Sequence, residues 1–160
     1  MKKKIIKLGV MVKDTVTEVM GMLTVYNLDM DGNELYLLQP AHLNPETQQP
    51  ADRIWVTKNR INSIEEEVDL PLSILGEEAM DKATGFKGTI ISLNYYINGC
   101  VHADIKPMGV IEKTGSTIPT VEFDIRRLEG SCINELSEEE FIESKKKFPS
   151  PETLISKSCR

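Results

Sequence analysis

A chain of 160 residues has room for one ordinary domain or two small ones. Its formal charge of −6 argues against a protein whose main task is coating duplex DNA, which needs a basic surface. The apolar fraction of 40% beside 28% charged residues is that of a soluble globular chain. The apolar stretch behind Lys2-Lys3-Lys4 is broken by Lys7 and Lys13, so it reads as neither a signal peptide nor a spanning helix, and no membrane partner is expected. Three cysteines, Cys100, Cys132 and Cys159, without a secretory signal are expected to be reduced thiols in a cytoplasm.

In chain order, Ile5 to Lys13 reads as a first strand, Asp14 to Val19 as a turn, and Met22 to Asn27 as a second strand. Asp31-Gly32 sits between apolar runs as a hairpin turn, and Glu34 to Gln39 is a third strand. A polar loop from Pro40 to Asp52 precedes a fourth strand, Arg53 to Thr57, and Asn59 to Ile61 makes a closing turn. Asn62 to Leu72, with its Glu65-Glu66-Glu67 run and Pro71, reads as a joint. The plan then repeats: Gly88 to Ile97, a turn at Asn98-Gly99, Cys100 to Lys106, a loop from Pro107 to Pro119, and Thr120 to Ile125. Ser137 with Glu140 forms a capping box for a helix over Glu138 to Phe148, stopped by Pro149 and Pro151 and followed by a tail expected to be mobile.

The repetition has a fixed offset of 67 positions, which carries Leu8-Gly9 onto Leu75-Gly76, Asp14 onto Asp81, Gly21 onto Gly88, Asn27 onto Asn94, Gly32 onto Gly99, Pro40 onto Pro107 and Arg60 onto Arg127. The matches fall on turn-formers, where the backbone needs positive φ or close approach. The expected fold is mainly β: two tandem small SH3-like β-barrels, residues 1–62 and 73–130, joined by a linker at 63–72 and followed by a C-terminal helix and tail at 131–160. Each barrel alone would bury little surface, so the two gain by packing together or by forming a homo-oligomer.

The motifs with chemical meaning resolve mostly into structure. In TGFKGTIISLNYYINGC, residues 84 to 100, Gly85 and Gly88 precede a β-branched and aromatic run, not the helix that a phosphate-binding loop requires. Asp29 to Glu34 imitates half a calcium loop, but the sixth and twelfth positions hold Glu34 and Pro40 instead of Gly and Glu. Cys100 and His102 share a strand face and make half a zinc site with no visible second half, so no metal is expected. The same shortage leaves no nucleophile, no catalytic residue and no cofactor motif, and no enzyme is expected. Trp55 is expected in a barrel core, with a stacking platform as its alternative role. Of the adjacent Tyr95 and Tyr96, one points in and one out; beside Lys87, Lys106 and Arg127 the exposed ring makes an aromatic and cationic patch, the best candidate for ligand binding.

Asp81, Thr84-Gly85-Phe86-Lys87-Gly88, Tyr96, Asn98-Gly99-Cys100, Pro107 and Phe123-Asp124 with Arg127-Leu128 resemble a family of small uncharacterised tailed-phage proteins, usually a single short SH3-like β-domain. Their pattern is D-x-x-T-G-[FL]-x-G, then Y-L-x-G-C, a proline, and a closing W-[FI]-D with a later Leu. The second copy departs at Glu122, where the pattern has Trp. The first copy keeps Trp55 there but has Thr17-Glu18-Val19 and Gly32-Asn33 at the glycine motifs. The resemblance implies a phage or prophage origin, and a site divided between the copies or moved to their interface. It implies no reaction, cofactor or catalytic residue.

The expected function is a non-catalytic phage accessory module in the host cytoplasm, binding a small anionic, nucleotide-like ligand or a host defence protein through Trp55, Lys87, Tyr95, Tyr96, Lys106 and Arg127. The alternatives are a structural virion component, by head decoration or tail assembly, and an SH3-like nucleic-acid binder, which the net charge disfavours.

Overall fold

The computed structural model describes residues 1–136; the helix expected over Glu138 to Phe148 with its Ser137 cap, and the tail with Cys159, lie outside the described residues. The chain is mainly β. Its strands are β1 (Lys2–Ile6), β2 (Met11–Lys13), β3 (Met20–Asp29), β4 (Glu34–Pro40), β5 (Ile54–Thr57), β6 (Glu65–Asp69), β7 (Glu78–Asp81), β8 (Lys87–Tyr96), β9 (Val101–Lys106), β10 (Val121–Asp124) and β11 (Leu128–Glu129). A four-residue helix, α1 (Ser131–Asn134), follows and buries Ile133.

The expected pair of separate barrels is replaced by one continuous path of strands, β10-β9-β8-β3-β4-β5, within a nine-stranded sheet, plus a two-stranded sheet of β1 and β6; neither closes into a barrel. The cause lies in the two ten-residue strands. β3 bends at a bulge between Leu23 and Val25, and β8 bends between Ile90 and Ser92. Before its bend each strand pairs with its own short neighbour, β2 or β7; beyond it the two strands pair with each other. That seam satisfies backbone groups that would otherwise form two bare sheet edges. The bulge carbonyls contribute as well: Met30 N donates to Ile91 O at 2.8 Å and Ile97 N to Thr24 O at 2.9 Å.

The segment expected as a linker contains β6, paired antiparallel with β1 so that Lys2, Lys3 and Lys4 lie opposite Asp69, Val68 and Glu67. Lys2 and Lys4 thus face carboxylates across the ribbon, while Glu66 and Glu65 lie opposite Ile5 and Ile6. Tyr36 Oη accepts from Ile6 N at 2.9 Å and ties this ribbon to the main sheet. Alternation then sets the two faces. Tyr26, Tyr36, Leu38, Val56, Leu93, Ala103, Ile105 and Phe123 enter one core, with Tyr26 and Tyr36 ring centroids 5.2 Å apart. Val25, Asn27, Leu37, Trp55, Asn94, Tyr96, Asp104 and Glu122 line the opposite face.

Two buried aspartates hold the turns. Asp14 accepts from Arg60 Nε at 2.8 Å and from Val16 N and Thr17 N. Asp81 accepts from Arg127 Nε and Nη2 at 2.9 and 2.8 Å, from Thr84 N at 3.0 Å and from Thr84 Oγ1 at 2.6 Å. Each aspartate is fully buried, and each lies 46 residues from its arginine.

Candidate functional site

The seam is centred on one pair. β3 and β8 run antiparallel with Asn27 opposite Asn94, and Asn27 Nδ2 donates to Asn94 Oδ1 at 2.7 Å across a sequence separation of 67. Val25 lies opposite Tyr96 and Asp29 opposite Ser92, so positions 67 apart exchange places about the central pair. The seam therefore has a local two-fold arrangement. The flanks obey it in backbone but not in chemistry. On one side the cross-strand pair is Leu37 with Trp55; at the matching place on the other it is Asp104 with Glu122.

These residues line an open cleft of about 560 Å³, with Asp52 and Arg53 at its edge. Trp55 is 48% exposed. The sheet stays open where a barrel would have turned this face inward, so the tryptophan expected in a core stands on the outer surface. Asp104 accepts from Ser92 Oγ and from Asn94 Nδ2, the latter at 3.0 Å, which fixes the central amide. Tyr96 Oη donates to Glu122, and His102 Nδ1 meets the same carboxylate at 2.7 Å. The Tyr96 and His102 rings are 4.7 Å apart. Burial, then the Glu122 contact, pushes the Tyr96 phenol well above its ordinary range, so it stays a neutral donor.

Trp55 and Tyr96 are the two sequence-predicted site residues that come together. Tyr95, 7% exposed, is in the core. Lys87 is an exposed residue 3.3 Å from Glu78, at a different opening lined also by Ser131 and Asn134. Lys106 Nζ donates to Ile118 O at 2.8 Å and steadies its own loop. Arg127 holds Asp81 and lies 5.2 Å over the Phe123 ring. The expected aromatic and cationic patch is therefore dispersed, and carboxylates replace its cations. Asn27, Asn94, Arg53, Asp104 and Glu122 escaped the sequence reading, although the offset that matched Asn27 with Asn94 marked the centre.

The half zinc site has a third member. The ligating atoms of Cys100, His102 and Asp124 all lie within 4.8 Å of one another. Among the described residues no helix is long and apolar enough to cross a membrane. A scan against protein-family models, a search of curated proteins and a search of solved structures each return no significant match to this chain.

Proposed function

We propose that this protein is a non-catalytic binding module, a fused pair of small SH3-like β-units of tailed-phage origin, whose ligand lies across the seam. The observation that carries the reading is the composition of the cleft: the matching positions 55 and 122 hold Trp and Glu, and both face one opening. An exposed indole beside convergent carboxylates fits a basic side chain of a host protein, its stem along Trp55 and its head group at Asp104 and Glu122. A nucleotide phosphate would meet Asp52, Asp104 and Glu122 against the single cation Arg53. The same carboxylates weigh against nucleic acid.

Trp55 is the chain's one tryptophan, so its fluorescence reports the cleft directly. An arginine-containing peptide should change that emission saturably, in a salt-sensitive way, and the change should vanish in Glu122→Gln combined with Asp104→Asn. A response to a nucleotide instead, abolished by Arg53→Ala, would replace the basic partner with an anionic ligand; no response to either would remove the module reading. A virion role draws support from the open edges β5 and β10 at the ends of the strand path, which suit edge-to-edge assembly. Mass spectrometry of purified particles distinguishes it, since many copies per particle would favour assembly and absence would dismiss it.

A further inference from the structure

Cys100, just before β9, with His102 of β9 and Asp124 of the neighbouring β10, combines a thiol, an imidazole and a carboxylate. Asp124 lies directly opposite His102 in the β9–β10 pairing. His102 Nε2 is 3.9 Å from Asp124 Oδ2, while Nδ1 of the same ring is engaged by Glu122 at 2.7 Å. This is the arrangement of a metal-binding histidine, with one nitrogen facing the ligand partners and the other oriented by an outer carboxylate. Two ligands at tetrahedral angles around zinc stand about 3.3 Å apart, so small side-chain rotations bring the set into range.

The other half of the chain shows that the fold does not require these residues. Leu35 and Thr57 are paired there in the same register, Asn33 stands in place of Cys100, and Trp55 in place of Glu122. A cation already occupies the gap: Arg126 Nη2 is 3.8 Å from Cys100 Sγ and the guanidinium holds Asp124. Arg126 is 45% exposed, so it can swing into solvent without leaving a buried charge.

We infer that Cys100, His102 and Asp124 form a zinc-class transition-metal site, with Glu122 orienting His102, Arg126 as the cation that the metal displaces, and a fourth position open to water. The mixed sulfur, nitrogen and oxygen donors suit zinc or cobalt and not calcium or magnesium, which take oxygen ligands. Binding releases the Cys100 thiol proton to solvent and displaces the guanidinium.

The test uses the full chain carrying Cys132→Ser and Cys159→Ser, so that Cys100 is its one thiol. Cobalt(II) is titrated into chelator-treated protein, read by the thiolate-to-metal charge-transfer absorption, and then displaced with zinc. One equivalent should bind. Cys100→Ser should abolish the band. His102→Leu and Asp124→Thr, which install residues that the first half carries at those places, should each weaken affinity by about tenfold or more. Arg126→Asn should strengthen it. Absence of the band at millimolar cobalt in the Arg126→Asn protein, or a band that His102→Leu and Asp124→Thr leave unchanged, overturns the inference.

Discussion

At the scale of single residues, two positions in the matched turns carry opposite solutions to one problem. Gly85 has φ of 75° and its counterpart Glu18 has φ of 63°, where a side chain is strained. Glu18→Gly should therefore stabilise by up to about 1 kcal/mol, and Gly85→Ala should destabilise by about the same amount, in chemical denaturation. The neighbouring aspartates respond to acid. The Arg127 guanidinium, with Thr84, holds Asp81 at about 2 against an ordinary 3.8. Arg60 and Thr17 hold Asp14 lower still. Because the folded values are depressed, the stabilisation is complete above the unfolded value; Asp81's share is lost as pH falls from 3.8 toward about 2, and Asp14's share is lost at lower pH. Melting temperature should drop across that interval, and Arg127→Gln should lessen the dependence by returning Asp81 toward its ordinary value. An unchanged pH profile in that variant would dissociate the ion pair from acid sensitivity.

At the scale of strands and turns, close backbone crossings explain why glycine recurs. A Cβ on Gly21 would lie 2.3 Å from Gln39 O, and one on Gly88 would lie 2.4 Å from Lys106 O. Neither obstacle is a flexible side chain, so β4 or β9 itself must shift. Gly21→Ala and Gly88→Ala should each cost about 1–3 kcal/mol, measurable as a lower denaturant midpoint. These glycines and the hairpins between β3 and β4 and between β8 and β9 were legible in the sequence because they are local signals repeated at one offset. β6 was not legible. Glu65-Glu66-Glu67 has no strand character alone, and it becomes a strand by pairing with Ile6, Ile5 and Lys4 of β1. The first strand also broke in two, since Gly9 turns at φ 80° and a Cβ there would press on Ile97 at 3.2 Å.

At the scale of the whole molecule, the join between the halves decides what the surface can do. Pairing of β3 with β8 is long-range, and the offset that aligns Asn27 with Asn94 does not by itself say that the two strands pair. Reading each half as a closed barrel placed Trp55 inside and left Lys106 and Arg127 free to bind. An open sheet reverses both assignments. Trp55 reaches solvent, and Arg127 serves its turn through Asp81. Trp55 and Glu122, which stand 67 positions apart, then line one cleft. A ligand that reads both must touch both halves. The most direct measurement is a heteronuclear NMR titration with an arginine-containing peptide. If one ligand spans the seam, the Trp55 indole and the Leu37 amide shift together with the Asp104 and Glu122 amides, at one common dissociation constant. Shifts confined to a single half, or gathered around Lys87, Lys106 and Arg127, would contradict it.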